Sequence, residues 1–419
     1  MNNHHFSPRR ALVLAGLVGA GNAFYGAPAH AQQSEIDVLR QQMAELQARL
    51  DALDAAQKAT DKTISGAKPV INTKSPVVVS GLLQVHLLNY FNQGLPTGTG
   101  RTQRNADTFR LRRGELRLTA PKITDRVSAT VMFDPAKDTT SSNARNNILQ
   151  EIVVSYALQK TKTGSTSIDI GQFKIPVGYE SLVSSAALPF VERPLIFTSR
   201  DPFGGGYGDV RDTGVQLTSK YQDFELRAGI FNGIGDRQNA LALSTNKAYL
   251  GRLAYTGLKN LTLGVSGGSG NTGVSNTVNG GAVIRNANRT LLNFFGAYNK
   301  NKVYAAAEYL RGNAVPIAFG VNSTTNNPIV LNGRDVQGYY GTLGYYFTPK
   351  LQGLFRYDNF DTNRDVSGSK LRDYTLGANY YLKGNEAKVQ FNIIDHNRGS
   401  AITGSPKGTE LRTAFQATF

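Results

Sequence analysis

Along most of the chain, apolar and polar residues alternate with a period of two, the mark of strands with one greasy and one wet face. Val127, Ala129, Val131 and Phe133 alternate with Arg126, Ser128, Thr130 and Asp134, and Ile152, Val154, Tyr156 and Leu158 with Glu151, Ser155 and Gln159. The rhythm returns at Phe224, Leu226, Ala228 and Ile230 against Glu225 and Arg227, and at Val389, Phe391 and Ile393 against Lys388, Gln390 and Asn392. It predicts sixteen strands, around 77–92, 107–120, 126–135, 150–159, 165–175, 211–221, 223–233, 247–256, 259–269, 290–299, 302–312, 336–347, 350–359, 371–382, 386–396 and 408–419.

Short turns such as Tyr221-Gln222-Asp223, Thr256-Gly257-Leu258-Lys259, Asn299-Lys300-Asn301-Lys302 and Phe347-Thr348-Pro349-Lys350 alternate with eight longer connections rich in Gly, Asn and Ser. An even number of strands joined alternately by short and long links is the pattern of an outer-membrane barrel with both termini on the periplasmic side. Mean hydropathy is −0.30, and after the first residues no stretch reaches the roughly 20 apolar residues that a membrane-crossing helix needs. A chain this polar can sit in lipid only as a closed cylinder with a wet interior. The expected fold is all-β, a 16-stranded antiparallel transmembrane β-barrel over residues 77–419, preceded by a short N-terminal α-helical coiled coil.

Residues 1–31 read as a signal peptide, with Arg9 and Arg10, an apolar core from Ala11 to Phe24, and the small-x-small site Ala29-His30-Ala31. In residues 32–64, Ile36, Leu39, Met43, Leu46, Leu50 and Leu53 fall on heptad a and d positions, which predicts a periplasmic coiled coil. It is too short to hold alone, so a trimeric barrel that gathers three chains would suit it; a single amphipathic helix is the other reading. Residues 65–76, with Gly66, Pro69 and Pro76, read as a linker. The chain ends Phe415-Gln416-Ala417-Thr418-Phe419, which resembles the terminal strand recognised by barrel-assembly machinery. With no tryptophan, the girdles that meet the outer-membrane lipid must come from Tyr and Phe, with Tyr339-Tyr340, Tyr345-Tyr346-Phe347 and Tyr380-Tyr381 as candidates.

Lys and Arg total 46 against 30 Asp and Glu, a formal charge of +16, and the surplus lies from Pro69 onward. An export signal argues against nucleic acid as the counter-charge and for small anions. The absence of cysteine removes thiol chemistry, and with few histidines and no nucleophile motif neither catalysis nor a cofactor is expected. His86 and His396, the histidines left after the leader, do not make a zinc site. Gly264 to Gly273 lacks the Gly-Lys-Ser/Thr of a phosphate loop and reads as a connecting segment, while Asp361-x-Asn363-x-Asp365 has Val366 where a calcium loop needs glycine.

The densest basic cluster is Arg110, Arg112, Arg113 and Arg117. The apolar positions switch parity across Arg113-Gly114, so a bulge there would turn all four inward. An arginine facing lipid at mid-membrane would cost about 2–4 kcal/mol. Alternation also sends Arg227, Arg252, Arg356, Lys388 and Arg412 inward, together with Glu115, Asp134, Glu151, Glu225 and Asp358. The longest connection, Pro176 to about Val210, holds Arg193, Arg200, Asp201 and the Gly204–Gly208 run, and a loop of that length is usually functional. Arg110, Arg112, Arg113, Lys174, Arg193, Arg200, Arg227 and Arg252 are therefore the candidate anion-binding or constriction residues.

Phe109-Arg110-Leu111-Arg112-Arg113, Gly171-Gln172-Phe173-Lys174-Ile175-Pro176-Val177-Gly178-Tyr179-Glu180 and Phe190-Val191-Glu192-Arg193 together resemble the phosphate-selective porin O/P family. The resemblance covers about Val77 to Phe419. It implies a homotrimer of sixteen-stranded barrels whose basic residues pass phosphate, pyrophosphate or related anions, with Arg112, Arg113 and Lys174 at matching positions. Lys174 shares parity with Ile168 and Ile170, so it faces inward only if the strand is distorted near Gly171. A general or sugar-type porin and a structural protein tethering the outer membrane to the cell wall are the alternative readings.

Overall fold

The computed structural model describes residues 41–45, 47–49, 51, 77–91, 106–136, 148–198, 208–233, 247–278, 281–316, 320–321, 328–329, 334–402 and 405–419. The chain divides into two units, Met1–Lys74 and Ser75–Phe419. In the first, the described positions of 41–51 are helical and exposed, with Arg49 bridging Glu45 at 2.7 Å. That is a helix; it does not establish the coiled coil, and the leader and linker lie outside the described residues.

The second unit is a closed antiparallel barrel of sixteen strands. They are β1 (Val78–Phe91), β2 (Ala106–Ala120), β3 (Val127–Phe133), β4 (Leu149–Lys160), β5 (Gly164–Lys174), β6 (Arg211–Tyr221), β7 (Phe224–Phe231) and β8 (Ala248–Tyr255). Then follow β9 (Leu261–Val278), β10 (Gly281–Lys300), β11 (Val303–Pro316), β12 (Arg334–Thr348), β13 (Leu351–Asp361), β14 (Lys370–Lys383), β15 (Ala387–Arg398) and β16 (Gly408–Thr418). Each strand pairs with its neighbours in sequence, and β1 closes on β16 from Leu82↔Thr418 to Phe91↔Thr409. Gly81 exchanges backbone hydrogen bonds with Phe419, and the Phe419 ring lies where a Cβ at Gly81 would stand, so the last residue seals the cylinder over a glycine.

Burial is inverted relative to a water-soluble protein. Leu343, Leu376 and Phe415 are more than half exposed on the outer wall, whereas Gln390, Asn392 and Lys388 on the inner face are each 1% exposed. The aromatic candidates divide by the same alternation: Tyr339, Tyr345, Phe347 and Tyr380 face outward. Tyr340 and Tyr381 point inward, to Glu308 and Gln352.

Parts of two expected connections are strand. β9 and β10 run to Val278 and Gly281, so Gly264–Gly273 belongs to a ladder far longer than the 9–11 residues that span a bilayer. Its glycines let strands approach closely, since a Cβ at Gly267 would fall against the Leu291 carbonyl. A short antiparallel pair, Gly320–Val321 with Pro328–Ile329, lies between β11 and β12. The calcium-like stretch is a self-bonded turn in which Asp361 accepts from the Asn363 amide and the Ser369 hydroxyl.

Candidate functional site

The bulge predicted near Arg113 is present in β2. Leu111 pairs with Val85 and Arg113 with Gln84, which leaves Arg112 as the extra residue and turns both arginines inward. Arg110 stands opposite His86 and is exposed. The distortion needed to bring in Lys174 is also present: Gly171 has φ +133°, a conformation that favours glycine.

The connection after β5 folds into the lumen. The Gly178 amide donates to Ser266 Oγ at 2.8 Å, and the amides of Tyr179 and Glu180 donate to the two oxygens of Glu308 at 2.9 and 2.8 Å. Gly178, at φ +73°, is required there, because a Cβ would meet the Glu308 carboxylate and the Phe197 ring. Arg252 donates to the Gly178 carbonyl at 2.9 Å. Farther on, Lys388 donates to the Leu188 carbonyl at 2.9 Å, Asn379 to that of Pro189 at 2.8 Å and Gln416 to that of Ala186 at 3.0 Å. Val191 and Leu195 donate their amides to Asn392 and Asp358. Val177, Phe190, Ile196 and Phe197 pack into a cluster with Tyr340, Leu354 and Phe360.

These contacts assign the predicted cations to different tasks. Arg112 grips Glu192 with two nitrogens, at 2.5 and 2.9 Å, and Arg113 and Arg412 approach the same carboxylate to 4.0 and 3.8 Å. Burial disfavours the Glu192 charge, but the three guanidiniums, Arg112 foremost, outweigh it and hold the carboxyl well below the usual range. Arg193 is nearly enclosed and secures the loop itself, donating to the carbonyls of Glu180 and Val183 and pairing with Asp209 at 2.9 Å. Lys174 reaches Asp209 and the Ser181 carbonyl, each at 2.7 Å. Burial opposes ionisation of Asp209, and Lys174 and Arg193 overcome it, depressing that carboxyl too. Arg252 and Arg227 share Glu225 at 2.8 Å each. Arg200 lies outside the described residues.

Between the loop edge and strands β2 to β7 lies a polar cavity of about 400 Å3. Arg117, Lys174, Arg211 and Arg227 line it, with Glu115, Glu151 and Asp169 interleaved. Arg117 and Arg211 flank one carboxylate, Glu151, at 2.9 and 3.0 Å, and Ser155 and Thr218 hold Asp169. Alternation finds Arg117 but misses Arg211. Val215 on β6 faces outward, so parity assigns Arg211 to the lipid side; the structure instead sets it opposite Lys174 where both strands end, and it reaches in to Glu151.

No curated protein matches the chain by sequence at a significant level. Solved structures share the fold at low identity. The anion-selective porin from Comamonas acidovorans aligns with a TM-score of 0.55 at 12% identity, covering 82% of this chain and 99% of that one. A loop-deletion mutant of the outer membrane protein OmpT of Vibrio cholerae gives 0.53 at 14%, with the same coverages. The outer membrane channel DcaP of Acinetobacter baumannii gives 0.51 at 12%, covering 82% and 97%. The family model for phosphate-selective porins O and P matches residues 87–416. That match runs from β1 into β16 and so takes in both the cylinder and the loop folded within it; the chain belongs to the phosphate-selective porin O and P family.

Proposed function

We propose that the chain is an outer-membrane porin for passive, anion-preferring diffusion, with the cavity beside β2–β7 as its constriction. The observation that carries this reading is the placement of Arg117, Arg211 and Arg227 on the open side of the loop, with Lys174 at the cavity's edge, where a cationic surface in a narrow, low-dielectric lumen attracts anions and repels cations. Arg112 and Arg113, which the family resemblance offers as phosphate positions, are engaged by Glu192, and Lys174 by Asp209. The preference is therefore for anions as a class, more than for phosphate.

The domain assignment keeps residues 1–31 as leader, 32–64 as a periplasmic helical segment, 65–76 as linker and 77–419 as channel. A homotrimer accords with a solved form of Vibrio cholerae OmpT described as a trimer, at TM-score 0.51 and 13% identity, and trimerisation would bring the heptads of 32–64 together as a coiled coil. The outer face of β1–β5 presents Leu83, Leu111, Ile152 and Ile170 together with the exposed aromatics Phe91, Phe109 and Tyr156. Phe419, locked to Gly81, is the residue barrel-assembly machinery would engage.

The test is the reversal potential of the purified channel in a planar bilayer under a KCl gradient. Anion preference is expected, and changing Arg117 and Arg211 together to Gln should abolish or invert it; cation preference of the unaltered channel would reject the reading.

A further inference from the structure

Three carboxylates face four cations in the constriction, leaving one net positive charge among its lining residues. Apolar side chains share the space: Val153 of β4, Phe173 of β5 and Leu182 of the loop. Val153 and Leu182 are half-buried and so still present surface to the lumen, and Leu182 sits on the loop with the cations on the facing wall.

From this pairing we infer that the preferred solutes are monovalent organic carboxylates with an apolar body, ahead of inorganic oxyanions. The inference rests on reading the cavity as the constriction. An inorganic oxyanion must shed water to pass, and a second negative charge on it would face Glu115, Glu151 and Asp169 with a single net cation as compensation. Nothing about such an ion uses Leu182 or Phe173. A monocarboxylate matches the single charge. Arg117 and Arg211 each meet Glu151 and, with five N–H groups apiece, retain donors for a second carboxylate. The hydrocarbon part of the solute then covers Leu182, Val153 and Phe173, removing apolar surface from water on both sides. The cavity of about 400 Å3 is of the size that takes a small organic molecule.

The experiment measures interruption of chloride current through single channels by benzoate, acetate or inorganic phosphate added at equal ionic strength. Benzoate is expected to act at a concentration roughly tenfold below acetate, about 1.4 kcal/mol, and below phosphate. Leu182→Asn should bring benzoate and acetate together, and Arg117→Gln should weaken both, in channels whose heat-modifiable gel mobility shows a folded barrel. Equal action of benzoate and acetate, or phosphate acting at the lowest concentration, overturns the inference while anion preference stands. Loss of anion preference itself overturns the underlying reading as well.

Discussion

The two sides of the lumen use one vocabulary of residues for opposite ends. From β8 round to β16 the inner wall is spent on holding the loop: Arg252, Lys388, Asn379 and Gln416 donate to its carbonyls, and Glu308, Asp358 and Asn392 accept its amides. From β2 to β7 the inner wall divides: Arg112 and Arg113 of β2 and Lys174 at the end of β5 are taken up by Glu192 and Asp209 of the loop, whereas Arg117, Arg211 and Arg227 line open space, Arg117 with its side chain 40% accessible. An inward arginine is thus not in itself a selectivity residue. Where the loop lies over it, its charge is absorbed by a backbone or carboxylate partner and it acts as scaffold.

The contrast breaks most severely at Glu308. Its carboxylate accepts from two loop amides, from the Tyr340 hydroxyl at 2.8 Å and from Asn293 at 3.2 Å, all well inside the barrel. Glu308→Ala leaves these donors without an acceptor at about 1–3 kcal/mol for each buried group, so the loop should detach while the cylinder persists. Single-channel conductance is expected to rise and fluctuate; quiet current of unchanged size would show that the loop does not need this anchor.

A smaller effect belongs to Glu180, whose carboxylate is fully enclosed and has Arg356 as its near cation, at 3.8 Å. Burial pushes it up to about 7, Arg356 and Arg193 oppose the shift, and Glu308 and Asp358 add to it. An acid raised in the docked state disfavours docking fully above that value, and the penalty is relieved as pH falls from 7 toward the ordinary 4.5. Current noise from loop excursions should therefore decline between pH 8 and pH 5.5, by a few-fold, and Glu180→Gln should be equally quiet at both. Noise that grows on acidification would reverse the assignment.

The cylinder was legible because a lipid-facing wall permits few exceptions. One misplaced parity costs a buried charge, so the sixteen segments, the bulge beside Arg112 and the distortion at Gly171 all leave a trace in the alternation. The β9–β10 extension was not legible, because beyond the bilayer nothing forces alternation and glycine-rich strand looks like loop. The site was half legible for a related reason. Parity reports which face a strand residue takes, but it says nothing of what the loop covers, so it puts Arg112 and Arg252 in one group with Arg227 although Arg112 is taken up by Glu192 and Arg252, besides sharing Glu225 with Arg227, holds the Gly178 carbonyl. Arg211 escaped because strand ends are released from the pleat that parity assumes.

The division of the lumen can be tested directly, because the chain has no cysteine of its own. Single cysteines at Arg117, on the open side, and at Gln390, 1% exposed beneath the loop, can each be challenged with an anionic methanethiosulfonate during current recording. Reaction at position 117 should lower the current and its anion preference within the time that position 390 stays unmodified. Rapid modification at 390 with no effect at 117 would place the passage on the other side of the loop and contradict the account.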